Sequence, residues 1–338
     1  MASRTYVHSR DNGKQFEMAI SNGVMYMAAG TGFSIVLKKD GSLWVMGRNS
    51  RGQLGDGTKK IKRMFVKVQS FVDPEGVAAG GSHSMVLTRQ GQVLASGWNG
   101  YGQLGDPTFT THATKFLLVM TAGAKAVSAG DVHSIVLKED GSVWATGRNI
   151  HGQLGDGSTT DSGSFVKVIS SGAVDVAAGG YHSMVVKHDG SVWATGWNEN
   201  GQLGDGSKMD RPSYVQVISS GAKAVAAGRQ HSMMLGNDGS VWTTGCNTYG
   251  QLGSGSTIDS MVFAKVISEG VEAVAAGSFH NMVLKRDSQV WATGLNQDGQ
   301  IGDGTTITKE AFVEVSLFGN CLRHNGFRVG VLSLIQAR

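Results

Sequence analysis

Short apolar runs alternate with polar and glycine-rich turns along most of the chain, and the alternation has a fixed period. The stretch DGSVWATGRNIHGQLGDGS, residues 140–158, occurs in six near-copies. Within them the tetrapeptide Gly-Gln-Leu-Gly recurs every 49 or 50 residues, with Ile301 in place of leucine in the last copy. A period of this length predicts a stacked or circular repeat architecture rather than two ordinary domains.

Each repeat contains four segments with the length and patterning of β-strands. The first is a short apolar piece ending in glycine, such as Val-Ala-Ala-Gly at 176–179, and the second is an alternating run such as 133–137. The third reads Val-Trp-Ala-Thr-Gly or a variant of it, and the fourth starts at an aromatic residue such as Phe165. Four short strands in a unit of this length predict one blade of a β-propeller.

Dipeptides of aspartate and glycine separate the second segment from the third in four of the repeats. They are Asp40-Gly41, Asp140-Gly141, Asp189-Gly190 and Asp238-Gly239. This dipeptide favours the two-residue type I′ hairpin turn, in which both central residues have positive φ. We therefore predict a tight hairpin at the same point of each repeat.

Two other recurring features predict structural roles. The tryptophan at position 144 and its counterparts are expected to wedge between adjacent blades. In the Gly-Gln-Leu-Gly loop, the glycines are expected to adopt unusual φ angles, the leucine to plug into the blade and the glutamine to bond backbone groups.

The repeats predict six blades, with seven left open. Six sets of the first three strands are visible, but the fourth strand has seven copies, because 16–20 has the same pattern and spacing as 165–169. Six blades are favoured because the segment 317–338 lacks the motifs of a further repeat. The expected organisation is a loose segment at 1–15, a propeller at 16–316 and an atypical tail at 317–338.

Composition and charge exclude several classes of protein. Glycine is frequent, 50 of 338 residues, but proline is rare, 3 residues, so the chain is neither collagen-like nor a disordered linker. The net charge of +4 predicts no nucleic-acid partner, which would favour a clustered basic face. No segment has the apolar core of a signal peptide or the length of a membrane span. We expect a monomeric intracellular protein, in the cytoplasm or the nucleus.

The repeat motifs resemble those of the RCC1 family, named after the regulator of chromosome condensation. The residues that carry the resemblance are Ala177-Ala178-Gly179, His182, Asp189-Gly190-Ser191-Val192-Trp193, Gly196, Asn198 and Gly201-Gln202-Leu203-Gly204. The resemblance covers residues 16–315 and implies an all-β, RCC1-like β-propeller of four-stranded blades, of which the usual family member has seven. It also implies several functions, among them nucleotide exchange on the small GTPase Ran and the binding of partners within large ubiquitin ligases.

Histidine recurs three residues after the glycine that ends the first strand. The copies are His83, His133, His182, His231 and His280. Because the blades of a propeller hold such positions far apart, we predict no metal site, whose ligands would lie about 2 Å from one ion. Each histidine is expected to bond to backbone at the inner edge of its blade. No cofactor is predicted, and no catalytic set, since adjacent histidine and serine side chains on a strand point to opposite faces.

The two residues before each histidine vary from repeat to repeat, while the scaffold around them repeats. In the RCC1 family the corresponding positions lie on one face of the propeller, where the exchange factor meets its GTPase. We therefore predict a partner-binding site here, formed by Asp131, Tyr181, Arg229, Gln230 and Phe279. A second variable pair precedes Gly-Gln-Leu-Gly and contributes residue types that are typical of interface anchors. These are Arg51, Tyr101 and Tyr249.

The sequence thus predicts a non-enzymatic protein that binds a partner protein through variable loops on one face of a propeller. Guanine nucleotide exchange on a Ran-like small GTPase stays open as an alternative, although no repeat carries an insertion like the wedge of the family's exchange factor. A substrate-binding propeller related to those of HERC-type ubiquitin ligases is a third hypothesis, and no ligase domain is encoded in these 338 residues.

Overall fold

The computed structural model describes residues 23–68, 73–108 and 111–315, together with the backbone of a short antiparallel pair, Arg4–Thr5 with Ile20–Ser21. The described residues form strands and turns, and none of them forms a helix that could cross a membrane. Apart from Arg4–Thr5 and Ile20, the segments predicted at 1–15, 16–20 and 317–338 lie outside the described residues.

Six four-stranded antiparallel sheets confirm the predicted all-β propeller with six blades. Blade 1 consists of Val24–Gly30, Phe33–Lys38, Leu43–Gly47 and Lys62–Lys67, and blade 2 of Pro74–Ala79, His83–Thr88, Val93–Trp98 and His112–Met120. Blade 3 consists of Ala124–Ala129, His133–Lys138, Val143–Gly147 and Ser162–Ile169, and blade 4 of Ala173–Ala178, His182–Lys187, Val192–Gly196 and Arg211–Ile218. Blade 5 consists of Ala222–Ala227, His231–Gly236, Val241–Gly245 and Ser260–Ile267, and blade 6 of Val271–Ala276, His280–Lys285, Val290–Gly294 and Lys309–Glu314.

The strands of each blade pair in chain order, from the first strand at the centre to the fourth at the rim. Alanine and glycine at the ends of all six first strands line a central channel. A Cβ atom on Gly30 or Gly80 would collide with the backbone of the next blade. The second strands of blades 2 to 5 are almost wholly buried, because a neighbouring blade covers each of their faces. This placement explains why the first strands are rich in small residues and the second strands in aliphatic ones.

The hairpin between the second and third strands differs from the predicted type I′ turn. In blade 1 the Gly41 N–H donates to Lys38 O at 3.0 Å, and the Lys38 N–H donates to Ser42 O at 2.9 Å. Gly41 has a φ of 78°, but Asp40 is not among the described residues with positive φ. The prediction of two positive φ angles is therefore wrong, and the loop is a three-residue hairpin whose last residue is left-handed. The Asp40 carboxylate instead accepts the Ser42 N–H at 2.9 Å.

Apolar clusters join each blade to the next from blade 1 to blade 6. Ile35 and Leu37 of blade 1, for example, pack with Ala79 and Val86 of blade 2. Trp144 packs against the cluster between blades 2 and 3, which confirms its predicted place between blades. The remaining faces of blades 1 and 6 carry clusters of their own, and none of the clusters among the described residues joins these two blades.

The Gly-Gln-Leu-Gly loop locks each blade onto its neighbour. Leu54 is completely buried and Gly55 has a φ of 66°, as predicted. A Cβ atom on Gly55 would collide with the ring of Phe116, in the fourth strand of the next blade. That strand begins four residues before the ring, at His112, so the prediction that it starts at the aromatic residue is wrong. Glycine is therefore required here both for its conformation and because the ring lies directly on it. The Gln53 side chain accepts the Arg51 N–H at 3.0 Å, which confirms its predicted bond to backbone.

The recurring histidines form hydrogen bonds from blade to blade. His83 Nε2 lies 2.8 Å from Ser134 Oγ of the next blade, and the Ser134 hydroxyl donates to Gln103 O at 2.7 Å. Because the hydroxyl gives its one proton to a carbonyl oxygen, the histidine donates its Nε2–H to the hydroxyl oxygen. The predicted side-chain bond from histidine to backbone is therefore wrong.

Blade 6 gives independent evidence for this assignment, because an asparagine replaces the serine there. Asn281 Oδ1 lies 2.8 Å from His231 Nε2, and Asn281 Nδ2 donates to Gln251 O at 2.6 Å. An amide oxygen can only accept, so His231 must be the donor. We call this series of cross-blade bonds the histidine ladder; its donors are His83, His133, His182 and His231.

Candidate functional site

Both sets of variable residues lie at one end of the propeller. The residue after the glycine at the end of each third strand, such as Trp98 after Gly97, is tied to the loop between the first and second strands. The Trp98 N–H donates to Ser82 O and the Trp197 N–H to Tyr181 O, both at 2.8 Å. We call this end the loop face; it comprises the loops between first and second strands and those between third and fourth strands. The two sets predicted separately from the sequence therefore belong to one surface.

An ion pair covers the mouth of the central channel on the loop face. Arg229 Nε of blade 5 lies 3.3 Å from Asp131 Oδ2 of blade 3. The Arg229 side chain reaches across blade 4 because Gly180 lies beneath it, where a Cβ atom would approach Arg229 Cγ to 3.0 Å. Burial raises the pKa of Asp131, and the Arg229 guanidinium partly offsets this effect. Two of the predicted site residues therefore bind each other, and half of the Arg229 side chain stays exposed.

Three aromatic rings pack together beside this ion pair. The ring centroid of Tyr181 lies 5.6 Å from that of His151 and 6.1 Å from that of Trp197. His151 Nδ1 also lies 2.7 Å from a carboxylate oxygen of Asp210. Tyr181 contacts both other rings edge to face, and the centroids of His151 and Trp197 lie 5.8 Å apart with the rings tilted by 38°. The group is a packed aromatic surface, with Tyr181 in the predicted site and the other residues new to it.

A second group alternates guanidinium and aromatic side chains over blades 1, 2 and 3. The Arg51 guanidinium lies 5.5 Å from the Trp98 ring centroid, and Trp98 lies edge to face with Tyr101 at 4.9 Å. The Arg148 guanidinium lies 4.3 Å from the Tyr101 ring centroid, and Arg148 Nη1 donates to Tyr101 Oη at 2.6 Å. We call Arg51, Trp98, Tyr101 and Arg148 the arginine–aromatic ladder. It includes two of the predicted residues.

The remaining predicted residues lie on blades 5 and 6. Tyr249 and Phe279, one from each variable set, contact edge to face with ring centroids 5.4 Å apart. Gln230 is half-buried, and its carbonyl oxygen accepts the Cys246 N–H at 2.8 Å. The structure thus brings the predicted residues to one face. It divides them among the Tyr181 aromatic group, the arginine–aromatic ladder, the Tyr249–Phe279 pair and the channel mouth.

Sequence reasoning missed the position that follows the glycine at the end of the third strand. Its occupants are Arg48, Trp98, Arg148, Trp197, Cys246 and Leu295. Large aromatic and guanidinium groups alternate here in the first four repeats, although the strand before them hardly changes. That variation was the signal that could have identified Trp98, Arg148 and Trp197. His151 was visible as a member of the second variable pair.

The described residues hold no catalytic or metal-binding arrangement. They contain no cluster of histidine, cysteine and carboxylate groups suited to a metal ion. His133 Nε2 lies 2.9 Å from Ser183 Oγ, a distance that a nucleophile and its base could share. However, the serine proton is given to Gln153 O and the histidine acts as donor, so the roles are reversed. Burial also lowers the pKa of His133 to about 3, which makes it a poor base.

Comparison with known proteins agrees with this architecture. A model of the RCC1-like domain family matches residues 8–325. Among solved structures, human WBSCR16 aligns with a TM-score of 0.79 at 22% identity, over 89% of this chain and 85% of that chain. Yeast RCC1 (Prp20), solved bound to Kap60, aligns at 0.77 and 19% identity, over 87% and 75% of the two chains.

A second structure, of Prp20p from Saccharomyces cerevisiae, was solved in a study of its binding to Gsp1p and histones. It aligns with a TM-score of 0.75 at 20% identity, over 87% of this chain and 77% of that chain. The search of curated proteins gave no match. Sequence identities this low show a shared fold.

Proposed function

The chain belongs to the RCC1-like domain family, and from this premise we propose that it is a non-enzymatic protein that binds a partner protein through its loop face. The observation that carries the proposal is the concentration of variable aromatic and guanidinium side chains on that face. Tyrosine, tryptophan and arginine dominate the binding energy of protein interfaces, since they combine large contact area with hydrogen bonding. A rigid ring that presents them loses little entropy on binding.

The division between repeated and variable residues supports this proposal. The repeated residues, such as Leu54, Gly55 and the histidine ladder, are buried or hydrogen-bonded between blades. The variable ones lie half-buried or exposed at the end of the propeller, as Tyr181 and Arg229 do. Variation at the loop face therefore changes the surface without disturbing the scaffold, which is how a binding protein acquires a specific partner.

Nucleotide exchange on a small GTPase is the second candidate. The Prp20p structure, reported with its binding to Gsp1p, favours it by analogy of fold. In such a mechanism a carboxylate on the propeller would disturb the phosphate site without covalent chemistry. The acidic residue at the channel mouth is Asp131, and its charge is already opposed by Arg229 at 3.3 Å. Substrate binding like that of HERC-type ligase propellers would use the same surface and is a special case of the main proposal.

A capture experiment with two matched triple variants tests the proposal. Asp131→Ala/Tyr181→Ala/Arg229→Ala removes an acid, a ring and a guanidinium from the loop face. Glu139→Ala/His188→Ala/Arg286→Ala removes the same three kinds of group from exposed hairpins at the opposite end. Proteins retained from cell extract by the immobilised wild type should be retained by the second variant and lost by the first.

The same experiment separates the two candidates. A retained small GTPase that releases labelled nucleotide faster in the presence of wild type, but not of the loop-face variant, would establish exchange activity. If the loop-face variant retains every protein that the wild type retains while its thermal unfolding is unchanged, the loop face is not the binding surface and the proposal is wrong.

A further inference from the structure

The arginine–aromatic ladder has guanidinium groups that lack a carboxylate partner. Two other guanidinium groups of the loop face are paired with carboxylates: Arg211 Nε lies 2.7 Å from Asp205 Oδ2, and Arg229 pairs with Asp131. Among residues 23–68, 73–108 and 111–315, by contrast, Arg51 and Arg148 make no salt bridge with any carboxylate. Arg148 Nε is also buried without a hydrogen-bond partner among these residues. The ladder therefore presents positive charge that the propeller itself does not balance.

The charge of the loop face is unevenly distributed over the blades. The loop after the third strand of blade 1, residues 48–61, has a net charge of +3, from Arg48, Arg51, Lys59 and Lys60 against Asp56. The equivalent loop of blade 4, residues 197–210, has a net charge of −2, from Glu199, Asp205 and Asp210 against Lys208. That of blade 6, residues 295–308, also has −2, from Asp298 and Asp303. The equivalent loops of blades 2 and 3, residues 98–111 and 148–161, have a net charge of −1 each. The attraction for a short anionic partner is therefore centred on the blade 1 loop beside Arg51, and the loops of blades 4 and 6 repel it.

We propose that the arginine–aromatic ladder binds an acidic segment of the partner protein, with carboxylates held by Arg51 and Arg148 and a neighbouring side chain packed on Trp98 and Tyr101. The inference rests on the proposed function, since it names the partner chemistry for part of the same face. Guanidinium groups favour carboxylates through paired, charge-assisted hydrogen bonds.

Two features of the ladder support a peptide as the ligand. The bond from Arg148 Nη1 to Tyr101 Oη, at 2.6 Å, holds one guanidinium in place before the ligand arrives, so less side-chain freedom is lost on binding. The rings between the two guanidinium groups offer an apolar surface that a free ion would not use. A long nucleic acid would extend from blade 1 towards the acidic loops of blades 4 and 6, which disfavours it.

The test uses the full chain and a short labelled peptide rich in glutamate with one central phenylalanine. The reference peptide has glutamine in place of every glutamate. Binding is measured by fluorescence anisotropy at low and at physiological salt. We expect the glutamate peptide to bind, the glutamine peptide to bind at least about tenfold more weakly, and affinity to fall with salt.

Matched variants distinguish the ladder from general positive charge. Arg51→Gln/Arg148→Gln removes two charges from the ladder, and Lys59→Gln/Lys60→Gln removes two from the exposed rim of the same face. The first variant should weaken binding about tenfold or more, and the second about twofold or less. Thermal unfolding of both variants confirms that the propeller is intact.

Three outcomes would overturn the inference. They are an equal loss in both double variants, no binding of the glutamate peptide at low salt, and tighter binding of a single-stranded oligonucleotide than of the peptide. The capture experiment with the Asp131, Tyr181 and Arg229 variant separates this failure from that of the proposed function. If partner proteins are still lost when those three residues are replaced, the loop face remains the binding surface. Only the proposed acidic ligand is then refuted.

Discussion

The histidine ladder predicts that the propeller loses stability steeply in mild acid. Its four donors are buried, and burial lowers the pKa of His83 and His231 to about 4 and of His133 and His182 to about 3. The neighbouring histidines add to the effect of burial for His133 and His182. In the unfolded chain each group returns to its ordinary pKa of 6.5. The folded state therefore favours the neutral rings, which donate Nε2–H to the next blade.

The sign and the size of the effect follow from proton linkage. The stability that depends on neutral histidine is complete above pH 6.5 and is lost as the pH falls from 6.5 towards 4, because the unfolded chain takes up protons that the folded chain does not. One pKa unit corresponds to about 1.4 kcal/mol, so each histidine costs roughly 2 kcal/mol at pH 5. Four of them cost about 8 kcal/mol, which is comparable with the whole free energy of unfolding of an ordinary domain.

Urea unfolding followed by tryptophan fluorescence between pH 7.5 and pH 5 measures this dependence. At the acid end the slope should approach about four protons, or roughly 5 kcal/mol per pH unit. The variant His133→Gln keeps a donor for Ser183 but cannot titrate, so its slope should be smaller by about one proton. His188→Gln, at an exposed histidine, should leave the slope unchanged. A wild-type slope below one proton, or an unchanged slope in His133→Gln, would refute the ladder as the cause.

Two smaller changes test other parts of the scaffold. Asp175 Oδ2 accepts the Val225 N–H of the next blade at 3.0 Å, and burial raises the pKa of Asp175 to about 6. The ionised form is therefore penalised above pH 6, and the penalty disappears as the pH falls towards 4. Asp175→Asn should be more stable than wild type by roughly 3 kcal/mol at pH 7 and no more stable at pH 4, as read from urea midpoints. Ser288 has a φ of 70° where other hairpins have glycine, so Ser288→Gly should raise the free energy of unfolding by about 1 kcal/mol, and an unchanged thermal midpoint would contradict the strain.

The fold was predictable because the same local pattern is written six times. Repetition averaged out the ambiguity of any single strand, and Gly-Gln-Leu-Gly marked the same point in every blade. The hairpins were predicted less well. Asp-Gly favours the two-residue turn in general, but Asp40 bonds to Ser42, two residues further along, and the chain takes a three-residue loop instead. Blade 2 forms the same three-residue loop, in which the Thr88 N–H donates to Gln92 O at 3.0 Å, although Gln90 replaces the aspartate. The aspartate therefore supports this loop but is not required for it.

Contacts between blades were beyond the reach of the sequence. His83 bonds to Ser134, which lies 51 residues away, and Asp131 pairs with Arg229 across an intervening blade. The period places equivalent positions on equivalent blades, but it does not give the rotation between blades that decides which side chains touch. The serine after each histidine was recognised only as a strand neighbour, although its partner is the histidine of the preceding blade.

The composition of the loop face follows from the separation of scaffold residues and variable residues within each repeat. The scaffold of each repeat uses its first, second and third strands and the Gly-Gln-Leu-Gly loop to hold adjacent blades, and this leaves two short segments per repeat without a bonding role. Backbone bonds such as that from the Trp98 N–H to Ser82 O bring both segments to one end. Because neighbouring blades are close there, variable side chains from different repeats pack on each other, as Arg148 does on Tyr101. The chemistry of the loop face therefore depends on pairs of adjacent repeats. A partner that binds this face contacts side chains from several blades rather than from a single one.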